Sequence, residues 1–140
     1  MTITENYIPV SQYLLNFMKE IENIPPIELE KLSKKCGTAS LKMINNGSRF
    51  SRWLDGQYLV RQNFEVSFRT SGNDTKARCK AFSFLEQLKR LFNSVTYIYL
   101  GENRTFVQIF PTDTPIMSVR CTGGEEEYTA VYQLVYLENN

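Results

Sequence analysis

Alternating apolar and polar residues predict one strand near the middle of the chain. Phe64, Val66 and Phe68 alternate with polar residues between Gln62 and Thr70. In a pleated strand successive side chains point to opposite faces, so the three apolar side chains share one face. The pattern predicts a strand over residues 62–70 with one buried face.

A helical pattern follows, after a turn at Ser71–Asp74, and continues to about Phe92. Its apolar residues recur at three- and four-residue steps and form one stripe, composed of Ala77, Ala81, Phe84, Leu85, Leu88, Leu91 and Phe92. An apolar strand face and an apolar helix stripe are stable when each covers the other or a neighbouring element. The rest of the chain is expected to complete this two-layer core.

The N-terminal part of the chain predicts a loose arm and a helix. Residues 1–8 are mostly polar, and Pro9-Val10-Ser11 opens a helix with Ser11 as a candidate N-cap. Pro25-Pro26 ends that helix, because proline cannot donate to the helical ladder and restricts the preceding residue. The buried stripe of this helix is Leu14, Phe17, Met18 and Ile21.

Three further elements are predicted before the strand over residues 62–70. Pro26 can begin a short second helix through Lys35, with Gly37 as its C-terminal stop. Residues 39–44 and 48–53 look like two strands. Asn45-Asn46-Gly47 joins them, and Asn-Gly is a strong hairpin signal because both residues tolerate positive φ.

The C-terminal third predicts a series of strands. They cover residues 95–100, 104–110, 117–121 and 127–137, with a turn or edge crossing at 111–115. In the last strand both faces are substantially apolar, so both are expected to be covered. One cover is the helical layer, and the other is a second sheet or a neighbouring subunit.

The element order indicates a single α+β domain over residues 1–140. Its mostly antiparallel sheet consists of a hairpin, a long strand and a C-terminal meander. The sheet is expected to pack against the N-terminal helix and the long central helix.

Composition narrows the class of function. Sixteen basic and fifteen acidic residues give a formal net charge of +1, which argues against a dedicated nucleic-acid binder. No apolar run approaches the ~20 residues that span a bilayer, and no leader pattern begins the chain. We therefore expect a protein made in a cytosol, without a membrane partner.

The chemistry-bearing residues predict neither an enzyme nor a cofactor. The chain has no histidine, and Cys36, Cys79 and Cys121 are too few and too scattered for a zinc site. We expect three reduced, mostly buried thiols. Glu126 and Glu127 sit beside two glycines, which is typical of a solvated turn rather than of tuned catalytic carboxylates.

Two basic regions admit more than one interpretation. Arg49, Arg52 and Arg61 flank Phe50, Trp53 and Tyr58, a composition found in protein–protein hot spots, in stacking platforms for single strands, and in half-buried hairpins. The central helix is basic outside its stripe, at Lys76, Arg78, Lys80, Lys89 and Arg90. This face is typical of solvated helices, and also of contacts with acidic partners or nucleic acid.

The whole pattern, from about Ser11 to Leu137, resembles a family of small phage proteins. The residues that carry the likeness are Trp53-Leu54-Asp55-Gly56, the strand Phe64-Glu65-Val66-Ser67-Phe68-Arg69, the helix from Ala77 to Phe92, and the ending Tyr132-Gln133-Leu134-Val135-Tyr136. This order is similar to the minor capsid proteins of tailed phages and prophages of Gram-positive bacteria, which in turn are similar to tail terminators.

The resemblance implies a structural role without catalytic residues. Tail terminators assemble as a hexameric ring on the last ring of the tail tube, end tube polymerisation and provide the surface that joins the head. Implied partners are copies of the chain, the tube protein, a head-completion or stopper protein and, in contractile tails, the sheath. Genomic DNA passes through the ring without being read, so the location implied is the head–tail junction of the virion.

Two sets of residues are candidates for this role. A ring subunit needs two different patches that mate head to tail. The candidate interface residues are Arg49, Phe50, Arg52, Trp53, Tyr58, Val131, Val135 and Leu137. Because an acidic wall keeps DNA from sticking, Glu125, Glu126 and Glu127 are candidates for the channel. The alternatives are a head–tail stopper or completion protein and a nucleic-acid-binding module.

Overall fold

The computed structural model describes seven parts of the chain. These are residues 3, 6–31, 35–45, 47–53, 55–112, 117–120 and 123–139, with backbone alone for 117–120.

The described residues contain two helices and seven strands. The helices are α1 (Val10–Lys19) and α2 (Thr75–Ser94). The strands are β1 (Ile27–Leu29), β2 (Thr38–Met43), β3 (Ser48–Arg52), β4 (Tyr58–Ser71), β5 (Arg104–Pro111), β6 (Met117–Arg120) and β7 (Glu125–Glu138).

The strands form one sheet with the order β1-β2-β4-β7-β5. Strand β3 pairs with β4 beside β2, and β6 pairs with β7 beside β5. Every pairing is antiparallel except that of β1 with β2. The predicted α+β class with a mostly antiparallel sheet is confirmed, and both helices pack on the sheet.

The β4–β7 pair is the centre of the sheet. The two strands stay in register from Tyr58 opposite Glu138 to Ser71 opposite Glu125. Phe64 and Tyr132 are directly opposite each other and stack with ring centroids 5.4 Å apart. Phe92 of α2 lies edge-on to both, at 5.8 Å from Phe64 and 4.9 Å from Tyr132. This aromatic cluster joins the central helix to the two longest strands.

A close backbone approach ends this ladder. The Gly72 N–H donates to the carbonyl of Gly124 at 2.9 Å. A Cβ atom at position 72 would lie 2.3 Å from that carbonyl oxygen, closer than any real contact. Only glycine therefore fits where the chain leaves β4 for α2.

Helix α2 confirms the predicted stripe. Asp74 caps it by accepting a hydrogen bond from the Lys76 N–H at 3.0 Å. Ala81, Leu85, Leu88 and Phe92 are buried in the core, and Ala77, Phe84 and Leu91 are half-buried. Apolar side chains at this spacing lie on one face of a helix, so the stripe covers the sheet.

Helix α1 confirms its predicted stripe at Leu14, Phe17 and Met18, but it ends at Lys19, before Ile21 and Pro25-Pro26, and its cap differs from the prediction. Leu14 and Met18 are fully buried, and Phe17 stacks on Phe92 with centroids 6.3 Å apart. The cap position is Pro9, which makes no side-chain capping bond, and Ser11 is buried inside the first turn. The helix begins one residue before the predicted cap because Pro9 is held in an extended conformation, with φ −71° and ψ 158°.

The predicted second helix is wrong over its first part. Residues 27–29 form β1, which pairs in parallel with Ala39–Leu41 of β2. Ile27 faces the core while Glu28 is exposed, an alternation too short to separate from a helical start in the sequence. Glu30 ends the strand with a positive φ of 61°. Residues 32–34 of that prediction lie outside the described part of the chain.

The predicted hairpin between β2 and β3 is also wrong. Both strands pair with β4, β2 along residues 64–69 and β3 along residues 58–61. Since β7 occupies the other edge of β4, they lie end to end on one edge. Asn45 fills the gap, because its side-chain oxygen accepts from the N–H groups of Gly47 and Asn63 at 3.2 and 3.3 Å. The Asn46 position lies outside the described residues.

The true hairpin joins β3 to β4 through the turn at Asp55-Gly56. The Trp53 N–H donates to the Gln57 carbonyl at 2.8 Å, and the Asp55 side chain accepts from the Gln57 N–H at 3.1 Å. The sequence identified this turn but paired β3 with the wrong neighbour. The reason is that two turn signals compete for one short strand, and only the tertiary structure selects between them.

Of the remaining strand predictions, three are confirmed and one is wrong. Strands β5, β6 and β7 are confirmed, with β7 beginning at Glu125 rather than Glu127. The predicted strand over residues 95–100 is wrong, because that segment does not join the sheet. The predicted turn residues 113–115, and Cys121 at the predicted end of β6, lie outside the described residues.

The first testable prediction concerns the stripe of α2. Leu88→Ala is expected to lower the free energy of unfolding by about 2–5 kcal/mol, because it leaves a cavity beneath the helix. Lys89→Ala, at an exposed neighbouring position, is the control and is expected to change it by less than about 0.5 kcal/mol. Denaturant unfolding measures both values, and equal effects would contradict the assigned stripe.

A second prediction concerns two buried tyrosines of β7. Among the described residues, the buried Tyr132 hydroxyl has no hydrogen-bond partner, whereas the Tyr128 hydroxyl donates to Glu126 at 3.3 Å. We expect Tyr132→Phe to stabilise the fold by about 1 kcal/mol, because it removes an unsatisfied polar group. We expect Tyr128→Phe to cost about 1 kcal/mol. Thermal melts of both variants test this, and a loss of stability in Tyr132→Phe would refute it.

Candidate interaction surfaces

No candidate metal centre is found in the part of the chain that the structure describes. It contains no group of three or more histidine, cysteine, aspartate or glutamate side chains placed around a common point. The described helices also include none with the length and apolar character to cross a bilayer. The candidate functional features of the described residues are therefore surfaces.

The first surface, the arginine rim, is formed by Arg49, Arg52 and Tyr58. The Arg49 and Arg52 guanidinium groups lie 4.2 and 5.4 Å from the centre of the Tyr58 ring. Arg49 also forms an ion pair with Glu138 at 3.0 Å. Both arginines are exposed, so the rim presents positive charge on an aromatic base.

The second surface, the outer sheet surface, is formed by Leu59, Arg61, Val131, Val135 and Leu137. Val135 is opposite Arg61 in the β4–β7 register, and Leu137 is opposite Leu59. Val131 and Val135 are half-buried, and Leu137 is 9% exposed. Phe50 lies at its border, with the Arg61 guanidinium 4.4 Å from its ring centre.

The strand register places these two surfaces on opposite faces of the sheet. Tyr58 and Val60 share the face of the buried Phe64, because residues two apart in a strand point the same way. Arg52 and Arg49 are opposite them and take the same face. Residues 59 and 61 take the other face. The eight predicted interface residues therefore form two separate surfaces rather than one patch, with exposed Trp53 in the turn beyond β3.

Glu125, Glu126 and Glu127 do not occupy a solvated turn, which corrects the prediction. They are the first residues of β7, and Glu126 is buried. The Arg78 Nε donates to Glu126 at 2.6 Å, and Arg69 forms an ion pair with Glu125 at 2.9 Å. Two of the three carboxylates are thus neutralised by arginines, which the sequence did not indicate.

Arg104 attaches the N-terminal arm, which the sequence analysis missed. Its guanidinium donates to the Tyr7 hydroxyl at 2.7 Å and to the Ile8 carbonyl at 3.2 Å. It also donates to the Leu100 carbonyl at 3.1 Å and lies 3.8 Å from Glu138. The arm was predicted to be loose, but residues 7 and 8 are fixed against the start of β5, while Ile3 is almost fully exposed.

An apolar groove runs between α2 and the loop that follows α1. It has a volume of about 840 Å³ and is lined chiefly by Ile21, Ile24, Phe68, Phe84 and Leu91. Lys80 and Glu22 lie at its rim. The predicted stripe of α2 thus also forms one wall of an open groove.

The basic face of α2 and two of the cysteines are exposed. The exposed basic side chains of α2 are Lys76, Lys80, Lys89 and Arg90. Arg78 instead forms an ion pair with Glu126. The prediction of buried thiols is wrong for Cys36 and Cys79, which are free and exposed, and Cys121 lies outside the described residues. Partial burial and the neighbouring Glu125 raise the pKa of the Cys36 thiol, which lowers its thiolate fraction.

Comparison with known proteins identifies no family. No family model matches the chain. No curated protein matches it. One solved structure, whose title states no function, aligns over 93% of this chain and 90% of its own length, with a TM-score of 0.46 and 17% sequence identity.

The third testable prediction concerns the ion pair of Glu126. Arg78→Met is expected to lower the free energy of unfolding by about 1–3 kcal/mol, because it leaves the buried carboxylate with one weak donor. Lys80→Met, on the exposed side of the same helix, is the matched control and should have little effect. The two variants are compared by denaturant unfolding, and indistinguishable values would show that the pair contributes nothing.

Proposed function

We propose that this chain is a structural subunit of a phage neck, which caps the tail tube as a ring, ends tube polymerisation and provides the head-joining surface. It works by offering fitted surfaces to copies of itself, to the tube protein, to a head-completion protein and, in a contractile tail, to the sheath. DNA passes the ring without sequence-specific contacts.

The observation that carries the proposal is the outer sheet surface. Both helices lie on the other side of the sheet, against its buried residues. Val131, Val135 and Leu59 face away from them and are only half-covered by their neighbours on the strands. Apolar positions at the centre of an open sheet face are typical of an interface with another subunit.

The arginine rim supplies a second, chemically different surface. It is positive and aromatic, whereas the outer sheet surface is apolar at Val131 and Val135. A closed ring requires two unlike patches that mate head to tail, since one self-complementary patch gives only a dimer. Two unlike surfaces on opposite faces of one sheet suit this requirement.

The proposed channel role is narrowed to Glu127. Glu125 and Glu126 form ion pairs with Arg69 and Arg78, so they contribute little uncompensated negative charge. Glu127 is half-buried opposite Arg69 in the register of β4 and β7. The axial loops of the proposed ring are Gly101–Asn103 and Gly123-Gly124, which are turns at the ends of the sheet.

A fourth prediction tests the role in tail assembly. A phage deprived of this chain is expected to make over-long tube polymers, because nothing ends their growth. Electron microscopy of negatively stained particles measures tube length and head attachment. Normal-length tails that fail to join heads would instead favour a stopper or completion protein. Normal-length tails joined to DNA-filled heads would exclude both.

Complementation with variants of the outer sheet surface makes this test specific. Val135→Glu places a carboxylate opposite Arg61, so the isolated subunit tolerates it as a cross-strand pair. At an apolar subunit contact the same charge is desolvated, so we expect the variant to fold but not to restore tail length. Val135→Thr keeps the shape and is the control. Full complementation by Val135→Glu would remove this surface from the proposal.

A second candidate is a nucleic-acid-binding module, favoured by the exposed Arg52, Phe50 and Trp53 around β3. Arginine and aromatic side chains together bind single strands by charge and stacking. This function predicts salt-sensitive binding in a gel-shift assay. Absence of a shift at low salt would exclude it.

A further inference from the structure

The segment Val95–Leu100 has the sequence of a strand but lies outside the sheet. Its six residues are valine, threonine, tyrosine, isoleucine, tyrosine and leucine, without charge, proline or glycine. Ile98 and Leu100 are buried, whereas Tyr97 and Tyr99 are 63% and 53% exposed. The segment is therefore anchored on one side, and on the other side Tyr97 is exposed while the Tyr99 ring packs edge-on against Tyr13 with centroids 5.4 Å apart. Such a segment pairs readily with any free strand edge.

The backbone of this segment is unpaired in the part of the chain that the structure describes. At its ends, the Val95 N–H donates to Leu91 and the Leu100 carbonyl accepts from Arg104. Between these ends, residues 96–99 take part in no backbone hydrogen bond with any described residue. Ile98 is buried, but Thr96, Tyr97 and Tyr99 are exposed, so their peptide groups can pair with a strand from outside the described residues.

Strand β3 offers a complementary edge. All five of its residues are exposed, and among the described strands it pairs with β4 alone, so its other edge has no neighbour among them. It carries Arg49 and Arg52 and no acidic residue, and exposed Trp53 follows it. The free edge thus combines unpaired backbone with positive and aromatic side chains.

We propose that the Val95–Leu100 segment of one copy pairs with the free edge of β3 in the next copy. The proposal rests on the proposed ring, to which it adds a contact along the edge of β3, beside the outer sheet surface and the arginine rim. Tyr97 and Tyr99 then meet the arginines of β3, and exposed Glu102, which follows the segment, lies near their positive charge.

Charge complementarity decides between this pairing and its alternatives. Pairing β3 with β3 of a second copy brings arginines together, and like charges on paired strands are destabilising. The segment followed by Glu102 is neutral to acidic and favours the arginine-bearing edge. Because the two edges differ, the contact can be head to tail, and it then forms a ring when the rotation between successive copies closes.

Directed disulfide formation tests the pairing. In a background with the three native cysteines replaced by serine, one chain carries Tyr97→Cys or Tyr99→Cys and a second chain carries Ser48→Cys or Ser51→Cys. We expect mixed cross-links between the two chains on mild oxidation, and the pattern of reactive pairs gives the strand direction. Cross-links only within like chains would show that each edge pairs with its own copy and would overturn the proposal, as would absence of any cross-link. Because a two-fold dimer with both contacts also gives mixed cross-links, sedimentation of the unmodified chain must show a species larger than a dimer, and a dimer overturns the proposal.

Proline substitution tests the backbone contact itself. Thr96→Pro removes one N–H that is unpaired in the described structure, and Val95 already has the extended conformation, φ −69° and ψ 134°, that precedes proline. We expect an unchanged melting temperature but an association constant lowered about tenfold or more, measured by analytical ultracentrifugation. Thr96→Ala keeps the N–H and is the control. Equal association of the two variants would overturn the proposal.

The two proposals fail separately. If rings form without the mixed cross-links, the ring stands and this contact is wrong. If the cross-links form but phage lacking the chain has normal tails, the contact stands and the neck function is wrong.

Discussion

The antiparallel pairing of β4 with β7 is the constraint on which the rest of the structure depends. It keeps fourteen residues of each strand in register. Because side chains alternate along both strands, this one register assigns every residue of the pair to the helix side or to the outer side. A shift by one residue would move Phe64 and Tyr132 out of the core. Helix α2 then covers the face that this register selects, through Phe92.

The two ends of this ladder are fastened differently. At one end, Glu126 and Arg78 tie β7 to the first turn of α2, where Gly72 and Gly124 approach closely. At the other end, Glu138 lies between Arg49 and Arg104, and Arg104 also fixes the N-terminal arm. Each of these ion pairs joins two different elements of the fold. They therefore define where the arm and the loops lie around the sheet.

A sheet with both helices on one side exposes its other side. The outer sheet surface, the arginine rim and the exposed side of the segment before β5 all lie outside the core. Antiparallel sheets tolerate one solvated face when it is polar. Val131 and Val135 make this face partly apolar, and Tyr97 and Tyr99 do the same for the segment. These features favour a function exerted through contacts between subunits, as in the proposed ring.

Local patterns alone determined the strand around Phe64, the stripe of α2 and most of β7, because long periodic segments admit one solution. Tertiary structure decided what local patterns cannot encode. Three residues suffice for β1 only because β2 lies beside them, and β3 pairs with β4 because that edge is free. Residues 95–100 have the sequence of a strand but do not pair with any of the described strands. Glu126 looked solvated beside its glycines, yet Arg78, distant in the sequence, allows its burial.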